Sequence, residues 1–118
     1  MNDATISDAA LAELLTLTMT VDGWGAIRYH NHLGQLHRVL GPAVIHDDGD
    51  ERWYSNGMRH RTDGPAVICT NGDCEWYQNG LLHRTDGPAL TWPDGTKYWF
   101  LNDEQLTEEE WNERIRSM

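Results

Sequence analysis

Two cysteines in 118 residues are too few for the disulfide framework of a small secreted domain. No Lys or Arg precedes Arg28, so the start lacks the basic flank of a secretory signal, and no apolar run approaches bilayer-spanning length. These absences predict a soluble, cytoplasmic chain with reduced thiols. Missing too are a Gly-x-Ser-x-Gly elbow, a phosphate loop and any paired-carboxylate motif. With no named nucleophile or base, the expectation is a protein that is not an enzyme and takes no cofactor.

Basic residues are scarce: 9 Lys and Arg stand against 19 Asp and Glu, a formal net charge of -10. Binding to nucleic acid is driven by Lys and Arg displacing counterions from phosphates, so direct contact with DNA or RNA is not expected. A basic partner would fit the charge better. The acids are not gathered in one block, however. Residues 1–23 hold four acids and no base, residues 107–118 four acids and two bases, and the stretch between eleven acids and seven bases.

What the chain does have is a 23-residue period. The segment from Asn56 to Ala66, Asn-Gly-Met-Arg-His-Arg-Thr-Asp-Gly-Pro-Ala, returns from Asn79 to Ala89 as Asn-Gly-Leu-Leu-His-Arg-Thr-Asp-Gly-Pro-Ala. A weaker copy runs from Gly34 to Ala43, and Trp53, Trp76 and Trp99 fall at one phase of successive units. Self-similarity at a fixed period means units that bury apolar surface by stacking on their neighbours. Asp48-Gly49, Asn71-Gly72 and Asp94-Gly95 mark one turn of each unit, and Asn56-Gly57 and Asn79-Gly80 a second. Such dipeptides accept the positive φ of tight hairpins, which predicts a mainly β antiparallel meander of tandem hairpins.

The predicted organisation is a single domain, 1–118: an N-terminal helix over 1–14, a divergent first hairpin over 15–33 ending its first strand at Asp22-Gly23, repeats over 34–106 and a capping helix over 107–118. Ser7 is the N-cap of the first helix, with Leu11, Leu14 and Leu15 on one face. Thr107-Glu108-Glu109-Glu110 is a capping box ahead of Trp111, Arg114 and Ile115.

If every Asx-Gly turn is a two-residue loop, the register follows by counting outward. Cys69 then opposes Cys74, His46 opposes Glu51 as an ion pair, and Trp92 opposes Lys97 as a cation–π pair. The same counting sets Trp53 opposite His60, Trp76 opposite His83 and Trp99 opposite Leu106. The expected reading of His60, Arg61, His83 and Arg84 is structural, each His packing on the Trp across its hairpin while Arg and Asp brace the Gly-Pro turn. A row of these four residues is also the alternative site, for a small anion or nucleotide. His30 and His32, two apart on a strand, have no third ligand at a motif spacing, so no metal site is expected. The surface left for a partner is aromatic and acidic: Trp53, Tyr54, Trp76, Tyr77, Trp92 and Trp99, with Asp73 and Glu75.

The Asn-Gly-x-x-His-Arg-x-Asp-Gly-Pro-Ala motif, its following Trp-Tyr-x-Asn-Gly and the close from Leu101 to Trp111 resemble small tandem-repeat proteins encoded by tailed bacteriophages. Trp92-Pro93-Asp94-Gly95-Thr96-Lys97-Tyr98 also looks like a MORN repeat, although Asp-Gly-Pro-Ala replaces the usual Gly-x-Gly step. Membrane attachment is therefore not carried over from MORN proteins. The phage resemblance implies an accessory protein of the class that includes anti-CRISPR inhibitors. The expected function is a non-enzymatic protein-binding module that occludes a CRISPR–Cas or other bacterial defence subunit, in the cytoplasm of an infected host. A structural or assembly component of a phage, or a homodimer formed through sheet edges, is the remaining alternative.

Overall fold

The structure is a computed structural model describing Ser7, Asp8, Leu11 and residues 16–118. The helix expected over 1–14 lies outside the described residues but for those first three positions. Elsewhere the chain is a β meander closed by one helix. Nine strands form the main sheet: β1 (Thr18–Val21), β2 (Ile27–His30), β3 (Val44–Ile45), β4 (Glu51–Arg52), β7 (Val67–Ile68), β8 (Cys74–Glu75), β11 (Leu90–Thr91), β12 (Lys97–Leu101) and β13 (Glu104–Leu106). The strands between them pair off as separate hairpins, β5 (Tyr54–Ser55) with β6 (Met58–Arg59) and β9 (Tyr77–Gln78) with β10 (Leu81–Leu82). Among the described residues no helix is long and apolar enough to cross a membrane.

Each repeat thus makes two hairpins, with a break between them at Trp53 and Trp76. The second hairpins form a row of their own. Arg61 N donates to Tyr77 O at 3.1 Å and Gly80 N to Arg59 O at 2.9 Å, and the next step repeats this with Arg84 N to Phe100 O and Asp103 N to Leu82 O. In the last unit β12 is long enough to serve both rows, pairing with β11 through Tyr98 and with β13 through Trp99 to Leu101.

Where the rows meet, the Gly-Pro-Ala steps supply the packing. Ala43, Ala66 and Ala89 are each 0% exposed, and the backbone of Trp53 and Trp76 donates to Ala66 O and Ala89 O at 2.7 and 2.8 Å. A fully buried position in a close-packed interior has no space for extra methylenes, which fits the recurrence of Ala there. Among the described residues a broader core forms only at the C-terminal end. There Leu101, Leu106 and Trp111 are buried together, with Trp99 and Ile115 against them.

Trp111 comes from α1 (Glu108–Arg116), whose start is the expected capping box: Glu110 N donates to Thr107 Oγ1 at 3.1 Å and Thr107 N to Glu110 Oε1 at 2.8 Å. Those bonds hold the Glu110 carboxyl below its usual value, the Thr107 backbone N–H being the main cause.

The two kinds of turn differ, and here the counted register needs correction. At Asn56-Gly57 and Asn79-Gly80 both residues have positive φ (49° and 85°, 52° and 83°), giving the two-residue loops expected. Tyr54 pairs with Arg59 and Tyr77 with Leu82, which leaves Trp53 opposite His60 and Trp76 opposite His83 as counted. In the other set only the glycine has positive φ, at Gly49, Gly72 and Gly95. Gly72 N donates to Cys69 O, and Cys69 N to Asp73 O, so the loop is Thr70-Asn71-Gly72. Three residues rather than two shift the register by one. Cys74 faces Ile68, Glu51 faces Ile45 and Lys97 faces Thr91. The expected pairs Cys69–Cys74, His46–Glu51 and Trp92–Lys97 are therefore not formed. The first hairpin follows the same rule: the first strand enters its turn at Asp22-Gly23 as expected, and Gly25 N donates to Asp22 O, making the loop Gly23-Trp24-Gly25.

Candidate partner-binding surface

The recurring His, Arg and Trp residues are built into the scaffold. Arg61 lies with its guanidinium carbon 3.8 Å from the centre of the Trp53 ring, and Arg84 lies 3.8 Å from that of Trp76. The glycine of Gly-Pro also packs against each guanidinium. A Cβ on Gly64 or Gly87 would come within 2.7 Å of the guanidinium carbon, so a larger residue there would have to displace the arginine from its place on the ring, although the glycine's φ is unexceptional. Two nitrogens of each guanidinium donate locally. Arg61 Nε bonds Asp63 Oδ1 at 2.9 Å and its Nη1 bonds Pro65 O at 3.2 Å; Arg84 repeats this with Asp86 and Pro88. Arg and Asp do brace the Gly-Pro turn, and each cation–π stack contributes about 0.5–2 kcal/mol. Arg61 in turn holds the Asp63 carboxyl below its ordinary value.

The histidines differ from expectation. It is Arg, not His, that covers the Trp ring. His37, His60 and His83 instead reach into the next unit, where Nδ1 accepts the backbone N–H of Asn56, Asn79 and Asn102 at 2.9, 3.0 and 3.0 Å. A ring nitrogen that accepts carries no proton, so these rings hold their proton on Nε2. In the last unit Leu106 stands at the His position, and Trp111 replaces the arginine on Trp99, with ring centroids 4.8 Å apart and its Nε1 donating to Arg84 O at 3.0 Å. The helix therefore completes the stack that a further repeat would have made.

Of the residues expected to meet a partner, Trp53, Trp76 and Trp99 are thus largely committed to internal stacks. Tyr54 is half-buried beside Arg59 in its hairpin. Tyr77 donates its hydroxyl to Glu75 Oε1 at 3.0 Å; burial, and then the Glu75 charge, push its hydroxyl above the usual value. Trp92 remains 46% exposed, edge-on to Tyr98 at 5.1 Å, and Asp73 lies at the adjacent turn.

Those two residues belong to a larger surface. The three-residue loops stack side by side along one rim: Gly25 lies against Asp47, Gly49 against Thr70 and Gly72 against Pro93. Asp47, Asp48, Asp50, Asp73 and Asp94 all sit in these loops or at their ends. Asp50 Oδ1 links two of them by accepting Thr70 N at 2.8 Å, which holds its carboxyl low; bonds from the Thr96 side chain and backbone do the same for Asp94. A tryptophan stands toward each end of the rim. Trp92 is at one, and at the other Trp24, the tip of the first loop, is 82% exposed.

Sequence reasoning missed Trp24, although its position between two glycines marks a loop tip. It also did not sort the mixed charge of the repeats onto a rim, because that sorting depends on which loops stack. His30 ends β2 while His32 lies in the following turn, so the two do not share a strand face as expected. Among the described residues no three His, Cys, Asp or Glu side chains are grouped to hold a metal ion.

No family model, curated protein or solved structure matches this chain.

Proposed function

We propose that this protein acts without catalysis, as a module that covers a basic surface of a protein partner with the rim running from Trp24 through the Asp loops to Trp92. The observation that carries this is the exposure of two tryptophans on a rim that also carries Asp47, Asp48, Asp50, Asp73 and Asp94. Large aromatic rings supply the contact energy of protein interfaces, and charge complementarity guides and orients the partner. The aspartates whose carboxyls are held low stay ionised well below neutral pH.

A basic partner surface is what a nucleic-acid-binding subunit presents. Together with the resemblance to phage repeat proteins, this favours a phage accessory protein that blocks a host defence complex, a CRISPR–Cas subunit or another defence protein, by occupying its nucleic-acid groove in the bacterial cytoplasm. The alternative, anion binding by His60, Arg61, His83 and Arg84, has less support. The Nε and Nη1 donors of both arginines and the Nδ1 acceptors of both histidines are already bonded internally.

The test is phage plating on hosts carrying defined defence systems. Expression of the chain should restore plaques on one such host, and Trp24→Ser with Trp92→Ser should remove the effect without altering the melting temperature. Restoration that survives this pair combined with Asp48→Lys and Asp73→Lys would sink the rim as the binding surface. Failure to protect phage against any system in a broad panel would remove the defence assignment.

A further inference from the structure

The repeats carry an internal comparison at their arginine stacks. Arg61 and Arg84 each meet an aromatic ring, the carbonyl of a Gly-Pro proline, and a carboxylate two residues ahead in sequence at 2.9 and 2.7 Å from Nε. Arg38 occupies the same place in the first unit. Its guanidinium carbon lies 4.1 Å from the centre of the Tyr29 ring, its Nη1 bonds Pro42 O at 3.3 Å, and Gly41 is packed against it. The carboxylate is the one part missing, because Leu40 stands where Asp63 and Asp86 stand in the later units. Among the described residues no acid pairs with Arg38.

Beside it the surface opens. A groove of about 430 Å³ runs between the first and second units, lined by Arg38, Leu40, Trp53, Tyr54, Arg61 and Asp63 among others. Among the described residues Asp63 is the acid that lines it, and it is paired with Arg61. Leu40 is 58% exposed at the edge of the groove. The site therefore offers a half-buried, pre-positioned guanidinium with an apolar shoulder, and two copies of the same stack in this chain show the group that satisfies it.

The geometry points to Arg38 as the binding site for an acidic side chain, Asp or Glu, of a partner polypeptide, with apolar residues flanking that acid lying on Leu40 and Tyr54. The ring and the proline carbonyl fix the guanidinium in advance, so the incoming carboxylate forms a charge-assisted bond without ordering a free arginine first. This site is separate from the Asp rim and does not rest on it.

The arginine Nε–H resonances of the full chain test it, assigned with Arg→Lys variants. In the free protein those of Arg61 and Arg84 should be protected from exchange and displaced by their carboxylates, and that of Arg38 should not. Titration with the tripeptide amide acetyl-Leu-Asp-Leu should move the Arg38 signal toward the other two. The Asn tripeptide should bind at least about tenfold more weakly, the loss of one charge-assisted bond. Leu40→Asp should place the Arg38 signal beside Arg61 and Arg84 with no peptide present and abolish the response. An Arg38 signal already displaced in the free chain, no movement with the Asp peptide, or an unchanged response in Leu40→Asp would each overturn the proposal. Equal movement with inorganic phosphate would overturn its assignment to a polypeptide acid.

Discussion

Along one rim Asn56-Gly57 and Asn79-Gly80 hold both residues at positive φ, whereas along the other Asn71-Gly72 holds only Gly72 there. The same dipeptide makes a two-residue loop in one place and ends a three-residue loop in the other. The difference lies in the partners. Asn79 N is fixed by His60 from the preceding unit, and Gly80 N by Arg59 O, so that turn is held from outside. Asn71 instead accepts Asp73 N through its own side chain, and its turn closes on Cys69 O. One rim is sewn together by histidines; the other is shaped largely within each loop, with the bond from Thr70 to Asp50 as a cross-link, and leaves its tryptophans exposed. Binding chemistry is freer to vary at the rim positions that take no part in joining the units.

The largest break in this contrast should come from the histidines. Replacing His37, His60 and His83 together by Ala removes three hydrogen bonds between units, and at about 1 kcal/mol each the chain should lose about 3 kcal/mol of stability. Asp48→Ala, Asn71→Ala and Asp94→Ala together remove the equivalent turn bonds on the exposed rim and, at about 0.5 kcal/mol each, should cost about 1.5 kcal/mol. Chemical denaturation compares the two triple variants directly. Equal losses would mean that the histidine bonds do not join the units.

A single-residue version has a smaller effect. Asn79→Ala keeps the backbone bond to His60 but places a residue with no special tolerance at φ 52°, at a cost of about 1–2 kcal/mol. Asn71→Ala, at a position without positive φ, should cost about 0.5 kcal/mol for its exposed turn bond. If the two variants melt together, the difference between the loops is not set at these backbone positions.

Much of this was legible in the sequence. The period placed the hairpins, the counted register was right wherever Asn-Gly has two positive φ values, and Thr107 with Glu110 announced the helix start. The other register failed by one residue because Asp-Gly and Asn-Gly were read without what precedes them. Pro93 was the available signal. Before Asp94-Gly95 it suits the first corner of a three-residue loop, but in a two-residue loop it would stand in the ladder with no N–H to give. Which side chain covers Trp53 was not legible. His60 and Arg61 recur together, and only the packing of Arg61 on Gly64 shows that arginine takes the aromatic face while histidine turns to the next unit. The acidic rim stayed hidden for the related reason that stacking, not composition, brings Asp47, Asp50 and Asp73 into line.

Acid should loosen the aspartate rim in a way that traces to single carboxyls. Asp50 is held below its ordinary value by Thr70, so it contributes stability that is complete above the unfolded aspartate value and lost as the pH falls through the lower folded one. Amide protection of Thr70 should therefore fall as the pH drops below about 4, the ordinary aspartate range. In Asp50→Asn that pH dependence should vanish. A Thr70 protection factor that stays constant down to pH 2 would show that the bond between neighbouring loops is not held by the charge.

The smallest expected effect is none at all, and it bears on the same one-residue difference in register. With a two-residue loop Cys69 and Cys74 would face one another closely enough for a disulfide. In the three-residue loop Cys74 faces Ile68 and Cys69 faces Asp73, and a slip of one position in a strand turns a side chain to the opposite face. Burial also raises the Cys69 thiol, with the neighbouring Asp50 adding to the effect, so little thiolate is present to attack. Diamide treatment of the folded protein should leave both thiols free, with no loss of two mass units and no change in melting temperature. Once the chain is unfolded in denaturant, the short spacing should let the same reagent close the bridge readily. Rapid closure in the folded state would mean that this hairpin visits the two-residue register, and with it that the division between the two rims is less strict than their turns make it.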